Sequence, residues 1–488
     1  MTRRVFLGVD CGTGSTKAVL VDAETGDRIA IGRAPHDIDS RPDGTSEQQP
    51  SAWWDALVVA TREALHGLPD ADVAGVAVSG QQHGLVVLDE HDAPIRPAKL
   101  WNDTTAADDG RALEDRLGGV DATLRAIGNR MLAGYTAPKL AWLKRAEPET
   151  YARTTRICLP HEYLNLRLTG TFATEPGDAS GTAYFDPCTR EWSERVLTAL
   201  DADRDWPAAL PALLPSRSVV GRVMPEAAAA LGLERGIPVA GGGGDNMCAA
   251  IGAGAVAEGP VVVSLGTSGT AFGHRDAPAL DPIGEVALFC DSTGGWLPLA
   301  CTLNCTGAVD WSLGLFGWGP EEIDACLAAS PPGARGIAAL PYLVGERTPD
   351  LPDAAASYFG LRAGHEPNDI VRATIEGVTW GLAYGVRALE RTGLSPSEVT
   401  LVGGGAASDR WGQLCADVLG LPVGRAAETE AAATGAALQA RWVVDDAPPP
   451  GPRSTTRWEP HTTDELLAQG ARLDALRDRA RETGGAGT

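Results

Sequence analysis

Positive charge is scarce in this chain. Lys and Arg number 41 against 64 Asp and Glu, a formal net charge of −23, and only four of the basic residues are lysines, at 17, 99, 139 and 144. Nucleic acid and anionic membrane surfaces are bound through a basic face, so both are excluded as partners. Long apolar runs are missing as well: nowhere do about 18 apolar residues follow one another, the length that a membrane-spanning helix requires. The apolar stretch that opens at Val5 is interrupted by Asp10, too early for a secretory signal, and the expectation is a mature cytoplasmic protein. Nine cysteines, an odd number, stand at 11, 158, 188, 248, 290, 301, 305, 326 and 415 with no CxxC pair and no histidine cluster beside them. That excludes a zinc site and a disulfide framework and predicts reduced thiols.

Glycine is what the chain has in excess, 59 of 488 residues, against a usual share of roughly 7%. Such a surplus predicts tight loops and close backbone approaches. A hydrophobic fraction of 44% suits a packed globular protein. The glycines fall at strand ends. Val5–Val9 and Thr16–Val21 flank the turn Asp10-Cys11-Gly12-Thr13-Gly14-Ser15, a hairpin signal. The pattern recurs at Val261–Ser264, Leu265-Gly266-Thr267-Ser268-Gly269-Thr270 and Ala271-Phe272. A third glycine turn, Gly403-Gly404-Gly405-Ala406-Ala407-Ser408, follows the strand-like Val399–Val402. Recurrence in both halves predicts two related domains, with residues 1–245 and 246–445 as the partition and 446–488 as a Pro-rich segment and tail. Helices are predicted over 52–65 and 370–389 from their apolar spacing. Regular structure is expected to end at Pro448–Pro452, and the last five residues to be loose.

The segment Asp10–Lys17 invites confusion with a P-loop, but Lys17 leads into a strand rather than a helix, and that reading fails. What remains is a turn whose amides and hydroxyls could hold phosphate oxygens, with Asp10 placed to position a magnesium ion through water. A plain hairpin turn with a capping Asp reads from the same residues. Asp245, after Gly241–Gly244, carries a carboxylate on backbone able to approach a substrate, and transfer of a phosphoryl group to an alcohol needs such a proton acceptor. The competing reading makes it a helix N-cap for 246–251. Ser79-Gly80-Gln81-Gln82-His83-Gly84 supplies amides and an imidazole suited to a polyol, or forms a surface turn. Trp53, Trp54 and Trp101 are candidate sugar-stacking rings, with core packing favoured for Trp54.

Taken in order, these segments resemble the FGGY carbohydrate kinases, and within them the xylulokinase branch, over residues 1–440. One family signature corresponds to Gly134-Tyr135-Thr136-Ala137-Pro138-Lys139-Leu140-Ala141-Trp142-Leu143, the second to Ala356–Leu361 continuing through Asp369–Glu376. Branch-like features are 79–84, Leu100–Asp103, Gly244–Asn246, Ser264–Gly269 and Pro341–Pro349. The resemblance implies an α/β two-domain actin-like ATPase fold (ribonuclease H-like, shared by sugar kinases, Hsp70 and actin) with its site in an interdomain cleft. It implies ATP-dependent phosphorylation of D-xylulose, with a kinase for another ketose or polyol, or a non-catalytic actin-like nucleotide-binding protein, as alternatives. Asp245 is then the proton acceptor and Asp10 the acid near metal and phosphates. Gln82, His83, Asn246 and Trp101 belong to the sugar, and Thr13, Gly266, Thr267, Gly404, Gly405 and Ser408 to the nucleotide. ATP and Mg2+ are the implied cofactors, and a homodimer is left open. Two departures bear on sugar choice: Gln82 stands where some members have Met, and Thr104-Thr105 follow Asp103 where members often place an Arg two positions on.

Overall fold

A computed structural model of the protein describes residues 2–484. They form two compact units, one comprising 2–256, 276–297 and 430–451, the other 257–275, 298–429 and the described residues from 452 on. From Gly485 on, the tail expected to be loose lies outside the described residues.

In the first unit the opening strand, Arg3–Cys11, pairs antiparallel with Ser15–Asp22, which pairs antiparallel with Arg28–Pro35. The predicted hairpin is present. On its other side Arg3–Cys11 runs parallel to Ala71–Gly80, and the sheet continues through Pro238–Ala240 to Val219–Arg222. Alternation along a strand sends side chains to opposite faces. Val5, Leu7 and Val9 accordingly join the cluster under helix Pro50–His66, while Phe6, Val19 and Val21 join a second cluster under helix Ala431–Asp445. Trp53 is fully buried in the first cluster.

That last helix departs from a linear partition at 245/246: late in the chain, it packs in the first unit. Backbone contact is the reason. A Cβ on Gly8 would lie 2.0 Å from the Ala433 carbonyl oxygen, one on Gly435 1.8 Å from that of Cys248, and one on Gly252 2.0 Å from that of Ala431. Glycine on both sides lets Ala431–Asp445 sit directly on the strand and on helix Asp245–Gly252.

The second unit repeats the plan. Pro260–Leu265 forms a hairpin with Gly269–Gly273, which pairs antiparallel with Trp296–Thr302. On the other side it runs parallel to Glu398–Val402, followed by Val423–Ala426. The helix expected over 370–389 spans Pro367–Glu390, opened by a capping box of Glu366 and Asp369. Regular structure does not end at the proline run. Ser454–Trp458 pairs antiparallel with Val423–Ala426, and helix Asp464–Gly484 follows. The prolines only bridge two units: the strand signal is five residues long and the final helix is too polar for its periodicity to stand out.

Candidate active site

Strand register assembles the first unit's site. Asp10 pairs across to Ser79, and the short strand Gly243–Gly244 runs parallel beside Ser79 and Gly80, leaving Asp245 as the next residue. Three parallel segments thus end together, and the carboxyl ends of parallel strands are where open α/β sheets bind ligands. Asp10 is buried and accepts a hydrogen bond from the Ser79 hydroxyl at 2.9 Å. Burial raises its pKa, with Lys17 and Ser79 opposing. Asp245 is pushed up to about 7, first by burial and then by the negative charges of Asp10 and Asp178. Asp245 opens helix Asp245–Gly252, with Gly244 in the capping position. Its carboxylate accepts from the Asn246 backbone N–H at 2.7 Å and side-chain amide at 3.0 Å.

The last three of the four preceding glycines are required by protein neighbours. A Cβ on Gly242 would meet the Val78 carbonyl oxygen at 2.0 Å, on Gly243 the Ser292 hydroxyl at 2.1 Å, and on Gly244 the Gln82 side chain at 2.6 Å. Gln82 therefore lies against the backbone that carries Asp245. Its Oε1 accepts from the Asn246 side-chain amide at 2.8 Å, and its Nε2 lies 3.3 Å from Met247 Sδ. The sequence missed this link between the 79–84 turn and the acid.

His83 is held in the left-handed backbone region, φ 66°, a conformation that costs an L-residue roughly 1–2 kcal/mol. Its Nδ1 donates to the Gly181 carbonyl at 2.9 Å, so that whenever the ring is neutral Nε2 is the nitrogen that carries the acceptor lone pair. Tyr135 lies edge-on, centroids 4.7 Å apart. Trp101 donates from Nε1 to the Thr13 hydroxyl at 3.0 Å, so two residues expected on different ligands touch each other. Gln48, not singled out from sequence, donates to the Thr13 carbonyl at 2.6 Å and accepts from Gln81 and Trp53. A lone Gln at a strand end carries no motif that could have signalled this. Trp53 serves this brace, and Trp54 lies under the Arg167 guanidinium.

Thr105, one of the two departures, also has a place. Lys99 is 1% exposed and donates to Asp103 at 2.9 Å and to Thr105 at 2.8 Å, while Thr105 donates in turn to Asp103. Behind Gln82 lies a buried acid group: His161 Nδ1 is 2.5 Å from Asp178, and burial pushes Glu162 and Glu175 up to about 7.

In the second unit, the Gly266 and Thr267 carbonyls accept from the Thr306, Cys305 and Gly307 amides, which ties this turn to the start of helix Thr306–Gly314. Gly403 has φ 88°, and Gly404 faces open space where a Cβ would project. Gly405 is packed against Leu265 and Trp411. The Ser408 hydroxyl caps helix Asp409–Leu419 through the Trp411 N–H and pairs with Asp324, so its oxygen is already engaged.

For a divalent cation, the first unit offers hard oxygen donors: Asp10, and Asp245, whose protonation the charge of Asp10 favours. Among the described residues no group of three His, Cys, Asp or Glu could hold a metal ion unaided. This fits Mg2+, which keeps water and substrate phosphates alongside one or two carboxylates. No helix among the described residues is long and apolar enough to cross a membrane.

Two domains, each built on a glycine-turned hairpin extended by parallel strands, define a sugar-kinase fold. The family model for the N-terminal domain of the FGGY family of carbohydrate kinases matches residues 5–252, and that for the C-terminal domain matches 261–443. The chain belongs to the FGGY family of carbohydrate kinases and is a phosphotransferase. It is 41% identical over 446 residues to a xylulose kinase of Haemophilus influenzae, covering 90% of each chain. Among solved structures it is similar to a xylulose kinase of Brucella ovis (31% identity, TM-score 0.92, 98% of this chain and 100% of that one). A xylulose kinase of Bifidobacterium adolescentis gives 34% identity and a TM-score of 0.86 over 97% and 100%.

Proposed function

We propose that the chain phosphorylates D-xylulose to D-xylulose 5-phosphate with ATP. The observation that carries this reading is the convergence of Asp10, Ser79 and Asp245 at three strand ends, with Asp245 held near neutrality in its protonation. The relatives' names supply the substrate. Asp245 takes the proton of the sugar's terminal hydroxyl as its oxygen attacks the γ-phosphorus, and ADP leaves. A carboxylate whose pKa lies near the working pH suits that transfer. Asn246, anchored by Asp245 and Gln82, keeps its side-chain oxygen for a sugar hydroxyl, and His83 accepts another. Asp10 would hold Mg2+, whose charge offsets that of the phosphates. The first unit carries the sugar and the base. The second carries the nucleotide on the Gly266-Thr267 and Gly404-Gly405 turns, with Ser408 shaping the latter.

Gln82 and Thr105 favour testing other sugars in parallel. ADP release with MgATP should be measured across D-xylulose, L-xylulose, D-ribulose, L-ribulose, glycerol, ribitol and D-gluconate, with Asp245→Asn beside the wild type. Preference for D-xylulose, lost in the variant, is expected. Preference for another polyol would retain the class and overturn the substrate, and no turnover would overturn both.

A further inference from the structure

Lys139 lies in the first signature segment, yet the reaction gives it no task. It is fully buried, which depresses its pKa well below the usual lysine range. Burying an amine is costly unless its donors are satisfied, so its partners identify what it is kept for. Nζ donates to the Gly134 carbonyl at 2.7 Å and to the His83 carbonyl at 2.8 Å. Both acceptors are main-chain atoms of neighbouring site segments. Thr136, one turn earlier on the same helix, also donates to the His83 carbonyl, at 3.2 Å.

His83 needs such support. Its left-handed backbone is strained for a residue with a Cβ, and the same conformation delivers its Nδ1 to Gly181. The fit is tight: a Cβ on Gly181 would lie 2.3 Å from that nitrogen. Gly134 is equally constrained, since a Cβ there would lie 2.6 Å from the Trp101 carbonyl oxygen. Tyr135, next in the chain, supplies the ring edge against the His83 imidazole.

We infer that Lys139 is a positioning residue for sugar recognition: by clamping the main chains of His83 and Gly134 together, it holds the His83 ring in its Nδ1–H tautomer with Nε2 as the hydroxyl acceptor. The inference rests on the reading of His83 as a sugar contact. It extends that reading to a residue that itself touches no substrate.

The test compares wild type, Lys139→Met, His83→Ala and the double variant, each as the full chain, with two readouts. In steady-state kinetics, Lys139→Met should raise KM for D-xylulose about tenfold, as loss of a buried hydrogen-bond donor implies. Its kcat and its KM for ATP should stay close to wild type. The double variant should be no worse than His83→Ala alone. In histidine-ring 15N spectra, the protonated Nδ1 signal of His83, assigned by its loss in His83→Ala, should disappear or broaden in Lys139→Met. Additive KM effects, or an unchanged ring spectrum, overturn the proposal. Should D-xylulose prove not to be a substrate, the proposed function fails while the ring spectrum still decides this one. If Lys139→Met does not fold, Thr136→Val, which removes the second donor to the same carbonyl, is read in the same two ways with a smaller expected effect.

Discussion

In the proposed reaction two carboxylates carry the chemistry, and they differ by their surroundings. Asp245, raised to about 7, is protonated in much of the free enzyme below that pH and cannot then accept a proton. The kcat/KM profile should therefore fall on the acid side with a midpoint near pH 7 rather than near 4. A midpoint in the ordinary carboxylate range would show that another group limits the rate. Asp245→Asn should lower kcat by about 100- to 10,000-fold, the usual contribution of a general base, while sugar binding measured by calorimetry persists. Lys99 and Asp103 pose a separate test. Both are buried, and Asp103→Ala removes the nearer of two carboxylates beside the Lys99 ammonium, with Glu47 still at 3.2 Å and the Thr105 hydroxyl at 2.8 Å, a change that should cost about 1–3 kcal/mol in chemical denaturation. Thr105→Val should cost less, since Lys99 keeps Asp103. Of these residues, Asp10, Asp245 and His83 were legible in the sequence because each sits in a glycine-rich or motif segment. Gln48 and the Gln82–Asn246 bond were not, because a single amide carries no periodicity and acts on residues far away in the chain.

Helix Ala431–Asp445 owes its position to glycines that face backbone. Gly435→Val would drive a side chain into the Cys248 carbonyl, and a loss of at least about 3 kcal/mol is expected in chemical denaturation, at the upper end for overpacking. The final helix is a second case. Gly470 packs on the Trp380 ring and Gln469 donates to the Ile337 carbonyl at 2.6 Å. Gly470→Leu should lower the melting temperature without altering sugar binding by the first unit. Hairpins and the long Pro367–Glu390 helix were readable because their apolar spacing is regular. The closing strand and helix were hidden behind a proline run that marks a crossing between units rather than an end.

Division of labour between the units is testable by hydrogen exchange. D-xylulose alone should protect 79–84, 134–139 and 243–247, and ADP with Mg2+ should protect 265–270 and 403–408. Protection of both sets by either ligand alone would contradict separate sites. Ligand-bound states should also melt higher, by an amount that grows with ligand concentration over Kd. With a net charge of −23, long-range steering does not favour ATP, so in the proposed reaction affinity for ATP rests on local amides and a cation brought with it.

Local order along the chain was sufficient to specify the repeat of a glycine-turned hairpin in two related halves and the placing of two acids after glycine-rich or strand-end segments, because each depends on neighbours within a few residues; the class of fold came through the resemblance of ordered motifs along the whole chain. It could not specify that residues 430–451 rejoin the first unit, that Gly242, Gly243 and Gly244 are demanded by Val78, Ser292 and Gln82, or that Lys139 grips His83 and Gly134. Those facts are contacts between segments tens to hundreds of residues apart, decided by close packing of backbone on backbone and by where a buried donor finds its acceptors. Neither leaves a periodic mark in a single sequence.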